Sequence, residues 1–348
     1  MKMTFRWYGE NDPVTLDHIR QIPTMTGIVS AVYDVPAGGI WSNESIEKIK
    51  KAANEKGLEF EVVESVPVPE DIKLGNEKAP ALIDNYCENI RRLAKAGVKC
   101  ICYNFMPVFD WLRSELEHQN EDGSNSLAYE NNTVLSMNPL TSELSLPGWD
   151  ESYTKAELKN LLEQYKNIDE EKLFENLKAF LEKIIPVAEE CGVNMAIHPD
   201  DPPWSIFGLP RIITNEKNLD RMLSLVDSKN NGLTLCTGSL GASQNNDIIK
   251  FINKYHDRIH FMHIRNIKFD GENDFHEVAH PTECGSLDIY GIVKALVDNG
   301  FEGYVRPDHG RMIWGEKGRY GYGLYDRALG AVYISGLAEA IKKDNERK

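Results

Sequence analysis

Eight short runs of apolar and β-branched residues recur along this chain, most neighbours separated by a stretch of helical length, and this alternation constrains the fold more than any other feature. The runs fall near residues 3–7, 27–35, 58–66, 98–106, 193–198, 233–237, 260–267 and 304–308. A helix between consecutive strands returns the chain to the same end of the sheet, so such strands pair in parallel. The helices carry their own punctuation. Ser42 caps a segment that stops at Gly57, a second segment runs over about 169–191 before Gly192, and further helices are predicted over 215–226, 246–258, 287–299 and 325–343. Eight strands in strict alternation with helices predict an α/β protein of the (β/α)8 TIM-barrel class rather than an open doubly wound sheet, and no GxGxxG follows the first run. A length of 348 residues fits one such domain, and neither an internal repeat nor a second domain is expected.

The regularity lapses once. Residues 107–167, after the fourth run, are rich in polar and turn-forming residues (HQNEDGSNS, ENNTV, NPLTSELSLPGWDE). A loop of that length inside a compact domain is expected to serve as a lid or as a subunit interface. Trp111, Trp149 and Tyr153 are placed to anchor it.

Acidic residues outnumber basic ones, 54 to 39, and the net charge of −15 repels polyanions, so nucleic acid and anionic lipid surfaces are excluded as expected partners. A small anionic substrate is not excluded, because the field inside a pocket is set by the groups that line it. No stretch approaches the roughly 18 apolar residues of a membrane span, and MKMTFRWYGEND lacks a signal-peptide core. Six cysteines in 348 residues are too sparse for a disulfide scaffold, and a cytoplasmic protein with reduced thiols is expected.

In a parallel barrel the loops after the strands build the active face, so a metal-binding side chain there carries extra weight. Four consecutive runs end in one: His198 in VNMAIHP, Cys236 in LTLCTGS, His263 in HFMHIRN and Asp308 in YVRPDHG. Each alone is more often a packed core residue. Together, two imidazoles, a thiolate and a carboxylate are able to hold a divalent transition ion and leave positions open for substrate. A closed structural zinc site would draw its ligands from short Cys-rich loops, whereas these come from four separate strands.

Longer segments carry a family likeness. HPDDPPWSIFGLPRI (198–212), CTGSLG (236–241), HIRN (263–266) and RPDHGR (306–311), with FRWYG (5–9) and YNFMPVFDW (103–111), resemble the mannonate dehydratase family over nearly the whole chain. The resemblance implies a xylose-isomerase-like barrel of hexuronate catabolism. It implies a lyase that converts D-mannonate to 2-keto-3-deoxy-D-gluconate with loss of water, assembled as a homodimer. It also implies a divalent ion, Mn2+ or Fe2+, held by His198, Cys236, His263 and Asp308. The donor types alone leave the metal open, since a thiolate favours softer ions such as Zn2+ and a carboxylate suits Mn2+.

Such a dehydration removes the proton at C2 and expels the hydroxyl at C3, so it needs a base, an acid and partners for an anionic polyol. The titratable groups nearest the eighth run are His309, beside Asp308, and Tyr325, after GRYGYG; these are the predicted catalytic residues. Each has a plainer alternative, His309 orienting Asp308 and Tyr325 packing at the start of the last helix. Asp200 and Asp201 are further candidates. Arg311 and Arg265, which flank expected ligands, are predicted with Asn266 to bind substrate, and Trp204, in the loop after His198, to wall the pocket. Two other functions compete. An isomerase or epimerase on the same barrel also begins with proton removal but favours oxygen-rich metal sites. A noncatalytic sugar-acid binding protein would keep the pocket and close the metal to solvent.

Overall fold

A computed structural model describes residues 1–140 and 153–347. Its strands in chain order are β1 (Lys2–Arg6), β2 (Met25–Ser30), β3 (Glu59–Glu64), β4 (Cys100–Tyr103), β5 (Glu115–Gln119), β6 (Asn125–Tyr129), β7 (Asn194–Ile197), β8 (Asn231–Cys236), β9 (Ile259–Ile264), β10 (Asn266–Gly271), β11 (Asp274–Val278) and β12 (Tyr304–Pro307). Eight of these close into a barrel in the order β1-β12-β9-β8-β7-β4-β3-β2, every neighbouring pair parallel. Each predicted run became a barrel strand. Most runs are longer than their strands because apolar residues such as Val32 and Phe105 continue past the last ladder bond and stay buried in the following loop.

The helices begin and end where their caps predict. Ser42 accepts the backbone N–H of Ser45 at the start of Asn43–Glu55, and Gly57 follows it at φ +72°. Asp169 caps Glu170–Cys191, which stops at Gly192 with φ +64°, a left-handed turn that glycine adopts without strain. These helices bury apolar faces against the outside of the barrel in one large core. A separate small cluster of Val29, Val62, Cys100, Cys102, Ala196 and Phe261, drawn from five strands, fills the barrel interior.

That inner cluster explains which residues reach the site. Side chains two apart on a strand share a face, so the inward positions Val62, Ala196 and Phe261 are each followed, one pleat higher, by Glu64, His198 and His263. Small apolar residues plug the barrel, and polar ones crown it.

The stretch after the fourth barrel strand is not the plain loop expected. It holds the β5–β6 hairpin, and β6 pairs antiparallel with β11 of a second hairpin, β10–β11, inserted after β9; together they form a four-stranded sheet in the order β10-β11-β6-β5. HQNEDGSNS holds the end of β5, the turn of the first hairpin at residues 120–124 and the start of β6. Tyr129 of β6 stacks on Phe275 of β11 with ring centroids 5.6 Å apart. Residues 131–136 and 155–165 add two helices, and the Trp149 anchor lies outside the described residues. No helix among the described residues is long and apolar enough to cross a membrane.

Candidate active site

A cavity of about 190 Å3 opens at the C-terminal end of the barrel, with His198, Asp308, His309, Trp111, Arg6 and Tyr322 in its wall. A wider depression of about 710 Å3 beside it shares Ser65, Asn104 and Asp110 but holds none of the predicted ligands. The chemistry therefore belongs to the smaller cavity.

Three of the four predicted ligands form a group. Ligand atoms of His198, Cys236 and His263 lie within 4.8 Å of one another. Asp308 adjoins two of them, Oδ2 accepting the Cys236 thiol at 3.3 Å and Oδ1 standing 3.9 Å from His263 Nδ1. His198 Nδ1 donates to the Pro199 carbonyl at 2.7 Å, which leaves Nε2 with its lone pair free. His263 is fully buried, and its Nε2 has no hydrogen-bond partner among the described residues; the nearest carboxylate, Glu64, is 3.4 Å away. Burial pushes His263 down to about 4, so it is a neutral imidazole. Burial pushes the Cys236 thiol up to about 12 when no cation is present. Burial would raise Asp308 as well, but Arg306, His309 and Arg265 hold it well below the usual carboxylate range. Two lone pairs, a thiol whose proton a cation displaces and an ionised carboxylate fit one divalent ion.

A second group, Glu64, Cys102 and His263, is as compact. There a guanidinium already fills the cation's place, since Arg306 donates to Glu64 through Nε at 3.0 Å and Nη2 at 2.9 Å. Glu64, which shares Arg306 with Asp308, was not expected from sequence; the signal available was its inward parity with Val62.

The predicted acid-base and substrate residues divide sharply. His309 is buried in the cavity wall, its Nε2 3.0 Å from the Tyr322 hydroxyl and its ring 4.8 Å from Trp111. Tyr325 is not brought to the site: it opens the last helix, 42 % exposed, with its ring against Trp314. Three residues earlier, at the end of GRYGYG, Tyr322 is the tyrosine that reaches the cavity, and nothing in the local sequence ranks it above Tyr325. Arg311 is also a correction, because Asp326 at 2.9 Å and Asp122 at 2.6 Å take its guanidinium away from the cavity. Asn266 points into the 281–287 loop, donating to the Pro281 carbonyl and accepting from the Leu287 N–H. Trp204 donates to the Tyr129 hydroxyl at 3.2 Å in the seam beneath the second sheet, and Trp111 takes its place in the wall. Arg265 is close but committed, pairing with Asp201 at 2.6 Å, with Glu277 and with Asp308 at 3.0 Å.

Asp200 accepts the Ile212 and Ile213 N–H groups and is a loop fastener. Asp201 accepts from Arg113 and Arg265. Three buried donors on residues lining the cavity make no hydrogen bond among the described residues: the Tyr103 hydroxyl, Arg6 Nη1, whose nearest carboxylate oxygen is Glu64 at 3.9 Å, and Arg306 Nη1, which ion-pairs with Asp308 at 2.8 Å. Nothing in the sequence neighbourhood of Arg6 sets it above the other arginines near strand ends.

A parallel barrel with a nitrogen, sulfur and oxygen donor group at its C-terminal mouth, beside a polar cavity of sugar size, defines a xylose-isomerase-like architecture whose site is able to hold a divalent ion. The D-psicose 3-epimerase of Clostridium cellulolyticum H10 shares the fold at TM-score 0.55 and 15 % identity, covering 100 % of this chain and 99 % of that one. The D-mannonate dehydratase (UxuA) family model matches residues 1–348. The mannonate dehydratase of Streptococcus agalactiae serotype V is 56 % identical over 348 residues, 99 % of this chain and 100 % of the relative. The crystal structure of mannonate dehydratase from Streptococcus suis serotype 2 superposes at TM-score 0.92 with 48 % identity, covering 99 % of this chain and 95 % of that one. The chain belongs to the D-mannonate dehydratase family.

Proposed function

We propose that this enzyme dehydrates D-mannonate to 2-keto-3-deoxy-D-gluconate, with one divalent ion on His198, Cys236, His263 and Asp308 and with His309 and Tyr322 moving the protons. The observation that carries the reading is the 3.0 Å contact between His309 Nε2 and the Tyr322 hydroxyl in a cavity whose wall also holds His198 and Asp308. When bound, the ion supplies a Lewis acid that stabilises negative charge on the substrate carboxylate and its neighbouring oxygen; Mn2+ or Fe2+ suits the mixed donor set.

The residues do the rest. Arg6 Nη1 and the Tyr103 hydroxyl are buried donors awaiting acceptors, and an anionic polyol provides them. Trp111 and Tyr322 narrow the cavity and exclude water. The base removes the C2 proton, the C3–O bond breaks as the acid protonates the departing hydroxyl, and the enol takes a proton at C3 to become the 2-keto acid. The base gains the C2 proton and the acid gives one to the hydroxyl; the enol's C2 hydroxyl loses the proton that balances the one gained at C3, and a proton passed across the His309–Tyr322 contact resets the pair with water as the only by-product.

We also read the chain as one domain whose second sheet is a lid, working in the cytoplasm as a homodimer. Support comes from six unpaired cysteines and from an exposed apolar row on the last helix, Tyr325, Leu329 and Val332, beside Trp314. Sedimentation of wild type against Leu329→Glu tests the dimer; two monomeric samples, or two equal dimers, would remove that face from the assembly. The function itself is tested by incubating Mn2+- or Fe2+-loaded protein with a panel of hexonates and detecting 2-keto-3-deoxy acid. Product from D-mannonate is expected. Epimerised hexonate without water loss, or binding without turnover, would overturn the reading.

A further inference from the structure

Glu277 belongs to the small sheet above the barrel, yet its carboxylate reaches the proton-carrying pair. It lies on β11 and is 1 % exposed, with Oε1 2.8 Å from His309 Nδ1. The same oxygen accepts from Arg113 Nη2 at 2.8 Å and from Arg265. Arg265 Nη1 also stands 3.0 Å from His309 Nδ1, so two hydrogen placements compete: Nδ1 accepts from the guanidinium or donates to the carboxylate. Chemistry decides between them. Burial would raise the Glu277 carboxyl, but His309, Arg265 and Arg113 hold it at about 2, and an ionised carboxylate only accepts. Arg265 directs Nη2 to Asp201 and to the Ser239 hydroxyl, and its Nη1 also donates to Glu277. An acceptor-only oxygen 2.8 Å from Nδ1 requires the hydrogen between them to be on Nδ1, a charge-assisted bond that turns Nε2 toward the Tyr322 hydroxyl.

We propose that Glu277 is a positioning residue for the dehydration: from the small sheet it fixes the Nδ1–H tautomer of His309, so that Nε2 meets the Tyr322 hydroxyl as a proton acceptor. The inference rests on the roles given above to His309 and Tyr322. It adds a third member to a tyrosine–histidine–glutamate chain, and that member is supplied by an excursion from the barrel rather than by a barrel strand. Arg113 reaches Glu277 from the residues just before β5 and bonds Asp201 as well, so both excursions meet around one carboxylate.

Two substitutions separate positioning from simple charge balance. Glu277→Asp keeps the charge that Arg113 and Arg265 need but withdraws the acceptor from Nδ1 by one methylene. Glu277→Gln keeps the reach and loses the charge. If Glu277 positions His309, kcat for D-mannonate falls about 10²-fold in Glu277→Asp and less in Glu277→Gln, while KM and bound metal stay within about 3-fold of wild type. The 15N signals of labelled histidine side chains in Zn2+-loaded protein then shift for His309 from the Nδ1–H pattern in Glu277→Asp. The reverse order, with Glu277→Asp at wild-type kcat and tautomer and Glu277→Gln crippled or unfolded, overturns the proposal and leaves Glu277 a structural counter-ion. His309→Asn keeps the two failures apart. If that variant turns over normally, the role of His309 itself is wrong and the tautomer spectrum alone judges Glu277; if it is inactive, the order of the two Glu277 variants decides.

Discussion

Cys236 differs from the other cysteines in what surrounds it. Cys100 and Cys102 sit among Val29, Val62 and Phe261 inside the barrel, and burial raises both thiols; Cys284 is exposed and Cys191 half-buried. Cys236 instead faces two imidazoles, accepts the Ser239 hydroxyl at 3.0 Å and gives its own proton to Asp308. A hydroxyl at that position is a harder and less acidic donor, so Cys236→Ser should lose most bound metal by elemental analysis and at least ~10²-fold of turnover. Cys191→Ser should match wild type in both assays, and a fully metallated, fully active Cys236→Ser would take the thiolate out of the site. A second pair of variants divides two neighbouring tyrosines. Tyr322→Phe removes the hydroxyl that meets His309 Nε2 and should lower kcat by about 10²-fold with metal content unchanged. Tyr325→Phe, on the exposed start of the last helix, should leave kcat where it was. Equal losses in both would return Tyr325 to the mechanism.

At the scale of elements, Arg311 shows how a residue beside the site serves the frame around it. It bonds Asp326 on the last helix and Asp122 in the β5–β6 turn, while Asn125 and Met312 join the β5–β6 hairpin to Arg311's own segment through their backbones. Arg311→Leu should leave KM for D-mannonate within about 3-fold of wild type and lower stability by roughly 1–3 kcal/mol, because the Asp326 carboxylate stays buried without its partner. A thermal melt and a KM from the same preparation check both halves. The barrel around these parts was legible because buried parallel strands write continuous apolar runs and capped helices write their own ends. The four ligand positions were legible because strand ends are where a barrel keeps its chemistry. The small sheet was not. Its strands ELEHQ, NSLAY, NIKFDG and DFHEV are short and mixed in character, and β6 finds its partner β11 almost half the chain away. One local signal existed, the Asp122-Gly123 pair in the first turn, with Gly123 at φ +83°; the second turn is Glu272-Asn273, with Asn273 at φ +62°. Without the sheet, nothing could separate Tyr322 from Tyr325 or show Arg311 turned aside.

For the whole molecule, acid should act on stability through histidines that folding keeps neutral. His260, at the opposite end of β9 from His263, is pushed by burial from 6.5 down to about 4 while its Nε2 donates to the Lys229 carbonyl at 2.8 Å. The unfolded chain takes up that proton below about 6.5 and the folded one only near 4, so lowering the pH across this window favours unfolding. The depressed carboxylates Glu277 and Asp308 act in the range below it, since their stabilising charge is lost only as they protonate. The melting temperature of wild type should therefore decline between pH 6.5 and 4, and His260→Gln should flatten part of that decline; an unchanged slope in the variant would acquit His260. The paired hairpins carry a different consequence for the molecule as an engineering object. A designer who moved only the β5–β6 hairpin onto a related barrel would deliver β6 with an open hydrogen-bonding edge and Tyr129 with no ring to stack on, an invitation to aggregate. Because Glu277 travels with the other hairpin, half a graft would also arrive without the carboxylate beside His309. The roof of this enzyme is inherited as a matched pair, and a recombination breakpoint anywhere between β6 and β11 tears it.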